Sequence, residues 1–200
     1  MSELRECGIV CPTDWVPLAI EPTEPTDDVK RWAGDTAADL QERNRAAGHE
    51  LDRQELERDL RGRAEDSRRR APFYAFALYP DGFDNALATL EIDLVHPDAS
   101  VPRITLDWLA ETFSAHDFGP PLITRTGLPI GPAVRIRQNF AADGAVPGDP
   151  GVLLETLMYG VLPTGAESAV VFLMSWTVPG IADEMEQAAA DLVKTLSVAF

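Results

Sequence analysis

The residues in this sequence most capable of chemistry are two pairs of charges. Glu91 and Asp93 stand two apart in the run Ala86 to Val95, and Arg135 and Arg137 stand two apart in the run Ala133 to Phe140. Side chains two apart on a strand project to one face, so each pair is expected to share a sheet face. Two readings are open. The pairs can neutralise each other across strands on a solvated face, or they can form the floor of a groove that recognises a charged or polar partner. Two carboxylates can also divide the work of general acid and base, but Glu91 and Asp93 have no nucleophile beside them in the sequence, and no catalytic residue is assigned.

Other chemistries find little support. The sequence contains no G-x-G-x-x-G, G-x4-G-K-[ST], H-E-x-x-H or G-x-S-x-G. Gly127 to Gly131 could suggest a phosphate loop, but Pro129 and Pro132 lack the N–H donors such a cradle needs, and a rigid turn is expected. His49, His96 and His116 are scattered, with His96-Pro97-Asp98 and His116-Asp117 as the only His/Asp neighbours, and no converging metal-ligand set is expected. His116 is placed to meet the carboxyl-end dipole of a helix. Cys7 and Cys11 have C-x3-C spacing, unlike a zinc knuckle or a thioredoxin-type motif, and read as two buried or half-buried thiols. No metal and no cofactor is expected.

Composition narrows the partners. Two hundred residues, 45% of them hydrophobic, suit one well-buried domain. Glu3, Arg5 and Glu6 interrupt the position of a signal-peptide core, and no run of about 18 apolar residues exists to cross a membrane. A soluble, cytoplasmic protein is expected. The formal charge of −16 repels phosphate backbones and anionic lipid, so neither nucleic acid nor membrane is an expected partner. The arginines Arg53, Arg58, Arg61, Arg63, Arg68, Arg69 and Arg70 are concentrated in one segment, but acids three or four residues away make it a mixed-charge solvated helix.

The elements that must position these residues follow from periodicity. Val16, Leu18 and Ile20 alternate in a first strand, Trp15 to Ile20, ended by Pro22 and Pro25. Thr26 and Asp27 can cap a helix whose stripe is Val29, Trp32, Ala33, Thr36 and Leu40, with Trp32 buried and Gly48 as its stop. Leu51-Asp52-Arg53-Gln54-Glu55-Leu56 combines a capping box with a hydrophobic staple, opening a surface helix with Leu56, Leu60 and Ala64 inward and its arginines outward. Phe73 to Tyr79 and Ala86 to Val95 read as a hairpin around Pro80-Asp81-Gly82. A helix over Thr105 to His116 follows, presenting Leu106, Leu109, Ala110 and Phe113 to the core.

Leu122 to Thr126 and Ala133 to Phe140 are expected to be extended, separated by a Pro- and Gly-rich segment unsuited to a central strand, with a loop over 141–151. Val152 to Leu162 and Ala169 to Thr177 form the clearest hairpin, and Ala169 to Thr177 alternates in a way that suggests cover on both faces. Ile181 to Leu196 is the most amphipathic helix, with Ile181, Met185, Ala188, Ala189, Leu192 and Leu196 in one stripe. The whole reads as a single α/β domain of the α+β type over 1–200. It has a largely antiparallel sheet, helices on both faces and a charge-rich helical segment at 26–70.

The closing unit, a strand ending in Ser175-Trp176-Thr177-Val178-Pro179 followed by a helix ending in Lys194-Thr195-Leu196-Ser197, resembles the close of PsbP-like domains. Pro12-Thr13-Asp14-Trp15 is similar to their opening strand. Small actinobacterial proteins share this layout. The resemblance covers residues 12–40 and 122–198 and implies an α/β/α sandwich that binds proteins rather than catalysing a reaction. The expected function is a non-catalytic protein-binding module of adaptor, chaperone or immunity-like type, whose acidic surface meets another, basic protein. The alternative is a small-molecule-binding domain or an enzyme with a polar sheet-face site at Glu91, Asp93, Arg135 and Arg137.

Overall fold

A computed structural model of the chain describes residues 4, 6–21, 26–116, 118–142 and 152–199. In chain order the elements are β1 (Glu6–Gly8), β2 (Trp15–Pro17), α1 (Thr26–Ala46), α2 (Arg53–Arg70), β3 (Tyr74–Leu78), β4 (Ala88–Val95), α3 (Leu106–Phe113), β5 (Leu122–Leu128), β6 (Gly131–Ala142), β7 (Val152–Val161), β8 (Ala169–Trp176), α4 (Ala182–Val193) and β9 (Ser197–Ala199). Seven strands form a largely antiparallel sheet in the order β2-β3-β4-β8-β7-β6-β5, and β1 pairs with β9 in a separate ribbon. The fold is α+β. The chain divides into two compact units, Cys11–Glu91, and Met1–Val10 with Ile92–Phe200.

In the unit of residues 11–91 the two long helices pack on each other and enclose an apolar cluster. Val29, Ala33, Ala37 and Leu40 of α1 meet Leu56, Leu60 and Ala64 of α2 there, together with Ala75, Ala77 and Tyr79. Trp32, expected to be buried, is only half-buried at the margin of this cluster. The first strand is shorter than its alternation suggested, because pairing with β3 covers only Trp15, Val16 and Pro17. The side chains of the expected caps Thr26 and Asp27, and Pro22 and Pro25, lie outside the described residues.

The start of α2 forms half of the expected capping box. The Asp52 carboxylate accepts from the amides of Gln54 (2.8 Å) and Glu55 (3.3 Å), satisfying two orphan donors of the first turn. Glu55 does not return a bond to Asp52; it accepts from Arg58, one turn on. Leu51 and Leu56 are both buried, as a staple requires. The expectation that the arginines of α2 all point outward needs correction. Arg63 and Arg70 turn toward β4 and are tied to it by hydrogen bonds, whereas Arg58 and Arg69 are exposed and paired locally.

In the other unit the neighbours of β6 alternate with its side chains. Val134 and Ile136 join the apolar cluster built on Leu109 of α3, and Gln138 on the same face is held by α3's end: it accepts from Ala115 N and donates to Phe113 O, both 2.8 Å. The opposite face carries Arg135 and Arg137, and Glu186 of α4 reaches both of them. Met185, Ala189 and Leu192 of α4 are buried as its stripe requires. α3 ends at Phe113, so His116 stands beyond the last turn, where the helix dipole has faded, and the dipole role expected of it is withdrawn.

The Pro- and Gly-rich segment is not a break in the sheet but a two-residue hairpin loop, Pro129-Ile130, with Leu128 paired to Gly131. Pro132 sits at the first rung between β6 and β7, where its carbonyl accepts from Leu162 N (2.9 Å) and only the donor that proline lacks is missing. Gly131 is required there: a Cβ would lie 2.1 Å from the Leu162 carbonyl oxygen. The loop expected over 141–151 falls from residue 143 onward outside the described residues.

Candidate functional site

The most enclosed charge cluster in the sheet is built on Arg137. Its Nε donates to Glu186 (3.2 Å), Nη2 to Glu155, and Nη1 to the Asn139 side-chain oxygen (2.9 Å) and the Gln138 carbonyl (3.3 Å). The guanidinium carbon lies 4.8 Å from the centre of the Trp176 ring, within cation–π range. Arg135, one strand pleat away, donates to the other oxygen of Glu186.

Register explains the convergence. Glu155 of β7 stands opposite Asn139 on one side and Trp176 on the other, so the acid, the indole and the arginine face share one surface of the sheet. The side chains of Arg137 and Glu155 are only 12% and 15% exposed, so this is an interior arrangement of two cations and two anions. Its charges cancel and most of the Arg137 donors are engaged. It can clamp α4 onto the sheet; it has little left with which to hold a ligand.

Glu91 and Asp93 are not part of this cluster. β8 and β7 stand between β4 and β6 in the sheet order, so the four residues do not form the cross-strand quartet expected from their spacing. Glu91, 9% exposed, belongs to the α2 side of β4: it accepts from Ser67 Oγ (2.6 Å), Arg70 Nε (2.9 Å) and Arg70 Nη2 (2.6 Å). The hydrogen bond to Glu91 raises the Arg70 pKa further above its ordinary value. Asp93 is exposed, and one of its carboxylate oxygens accepts from the amide of Leu94 (2.8 Å).

A second polar network escaped the sequence reading. Asp59 accepts from the Tyr79 hydroxyl (2.6 Å), Arg63 Nε (2.8 Å) and the amide of Ala86 (2.9 Å). Arg63 also donates to Thr89 Oγ1 and to the Ala86 carbonyl. Burial first, and then the Asp59 carboxylate, push the Tyr79 hydroxyl far above the usual phenol range. With three donors on Asp59 and Tyr79 only 1% exposed, the network ties α2 to the hairpin loop and offers no open acid or base.

One Ser–His contact has nucleophile-like geometry. His96 Nδ1 lies 2.7 Å from Ser168 Oγ, a pairing across 72 residues that no local motif announces. Ser168 is 1% exposed, which denies a substrate access to the hydroxyl. Asp98, the acid nearest in sequence, does not orient the imidazole. One oxygen accepts from the Ser100 amide and hydroxyl and the Val101 amide, closing a turn and holding its pKa below the usual carboxylate range. The thiols of Cys7 and Cys11 are free, and burial pushes each up to about 11, so they stand as neutral thiols at neutral pH.

Among the described residues no helix is long and apolar enough to cross a membrane, and no group of three or more His, Cys, Asp or Glu residues could hold a metal ion. No known protein family and no curated protein matches this sequence.

Proposed function

We propose that this chain is a non-catalytic protein-binding module whose acidic surface meets a basic partner protein. One observation carries the reading. In the unit of residues 1–10 and 92–200 the arginines Arg135 and Arg137 are turned inward and neutralised by Glu155 and Glu186, so the excess of acid is displayed outside. Among the described residues of that unit nine acids are exposed, against Arg103, Arg125 and Lys194 as the only exposed cations. A field of one sign steers an oppositely charged partner and repels phosphate and anionic lipid.

The alternative, a small-molecule or enzymatic site on Glu91, Asp93, Arg135 and Arg137, loses its geometric basis with the quartet. A PsbP-like sandwich accords with a binding role and is retained as part of this proposal, as is a cytoplasmic setting.

The test is kinetic. A partner captured from native cells at low salt, once identified and purified, should bind with an association rate that falls as salt rises, while dissociation changes less. Neutralising exposed acids away from the internal clusters, Asp183→Asn with Glu184→Gln and Glu167→Gln, should lower that rate and flatten its salt dependence. An association rate constant from low to high salt would overturn the acidic-surface reading.

A further inference from the structure

We infer that β5 is a dimerisation edge, pairing antiparallel with the β5 of a second copy of this chain about a two-fold axis at Arg125. The inference stands apart from the binding role proposed above. β5 ends the sheet order, and six of its seven residues are exposed, including Leu122 at 67% and Ile123 at 46%. A strand edge of this length with no proline in it is a template for another strand.

The direction of its main-chain groups follows from one bond. Leu162 N donates to the Pro132 carbonyl, so the backbone of Pro132 faces β7 and turns away from β5. Gly127, the β5 partner of Pro132, therefore points its own N–H and C=O away from β6. By the same alternation so do Arg125 and Ile123. Three donors and three acceptors line the outer edge.

The sequence of the strand, Leu-Ile-Thr-Arg-Thr-Gly-Leu, is close to a palindrome about Arg125. Pairing two copies about that residue sets Leu122 against Leu128, Thr124 against Thr126 and Ile123 against Gly127 of the other copy, each pair made twice. The hydrogen-bonded pairs of this register fall on Ile123, Arg125 and Gly127, the residues whose backbones face outward. No other two-fold register pairs all seven residues. A two-fold contact requires such self-complementarity, and apolar and Thr–Thr cross-strand pairs are the ones that stabilise antiparallel ladders.

Charge and area are compatible with a weak dimer. The central Arg125 arrives neutralised by Asp107 of α3 in its own chain, which removes most of the cost of facing its counterpart. Seven residues span about 23 Å, and covering that edge on both copies removes on the order of 1,000 Å² from water, the lower bound of specific interfaces. Each copy carries −16, so the long-range term opposes association and is screened by salt.

Sedimentation of the full chain over a concentration series should show a monomer–dimer equilibrium that tightens as salt rises. The Thr124→Glu, Thr126→Glu double variant sets like charges opposite each other twice and should weaken the dimer by about tenfold or more. The Thr124→Glu, Thr126→Lys variant sets opposite charges there and should keep it. At high concentration, hydrogen exchange should slow at the amides of Ile123, Arg125 and Gly127, while those of Thr124 and Thr126, already turned to β6, should not change. A chain that stays monomeric up to about 1 mM, at the weak end of specific association, overturns the inference. So does a dimer that both double variants keep or both lose, or exchange at the β5 amides that is indifferent to concentration.

Discussion

Replacing Arg137 by Met tests whether the charge cluster on β6 is an internal clamp. Met keeps most of the aliphatic stem and removes the guanidinium, leaving Glu155, 15% exposed, without its arginine and Glu186 with Arg135 alone. Breaking a buried pair by removing one partner costs about 3 to 5 kcal/mol, because the remaining charge is poorly solvated. Glu186, at 35% exposure, can regain water, which argues for the lower end, and the lost stacking on Trp176 adds back a fraction. A loss of about 3 kcal/mol is expected, a large share of the 5 to 15 kcal/mol typical of a domain. Urea unfolding followed by circular dichroism would show it as a lower midpoint at unchanged slope. Replacing Arg137 with Met and Glu155 with Leu together should recover most of the loss, since no buried charge is then stranded. A loss below about 1 kcal/mol for Arg137→Met, the value of an exposed pair, would refute the reasoning and return the arginine to the surface as a possible ligand contact.

Three further outcomes are expected. Leu192→Ala on α4, where Leu192 is 5% exposed, should cost about 2 to 5 kcal/mol, and an unchanged melting temperature would remove that helix from the core. Asp52→Ala should cost about 1 kcal/mol while Glu55→Ala costs only a few tenths, because only Asp52 caps the helix; equal losses in denaturant melts would restore the reciprocal box. With both thiol pKa values raised to about 11, alkylation of the folded chain at pH 8 should run about 100-fold slower than after unfolding. The unfolded thiols lose their protons first, so stability should fall as pH rises from about 9 to about 11; stability that rises there would contradict the burial.

Periodicity recovers most of the elements because it records burial, which is local to an element. The stripe Leu56, Leu60 and Ala64 is fully buried, and Met185, Ala189 and Leu192 lie on the inner face of α4. What periodicity cannot carry is a contact too short to repeat. β1 and β9 are three residues each, and the Gly8–Ser197 contact joins positions 189 apart. Pro129 and Pro132 read as breakers because proline lacks a donor, yet one occupies the hairpin loop and the other the end rung of β6 with β7, where its carbonyl still accepts from Leu162 N.

The site was legible as faces and not as partners. Period two correctly sets Arg135 and Arg137 on one face, but strand order decides which acids that face meets, and β7 supplies Glu155 where β4 was expected. The arginines of α2 show the same limit, since a mixed-charge run looks solvated until Arg63 and Arg70 are found on β4. Inward pairs of this kind are neutral, so they take nothing from the excess charge of −16. That excess has opposite consequences for the two associations proposed. A basic partner is attracted by it, and added salt must weaken the encounter. A second copy is repelled by it, and added salt must strengthen the β5 pairing. One salt series on the full chain, alone and with its partner, therefore separates the two, because a common electrostatic origin predicts responses of opposite sign.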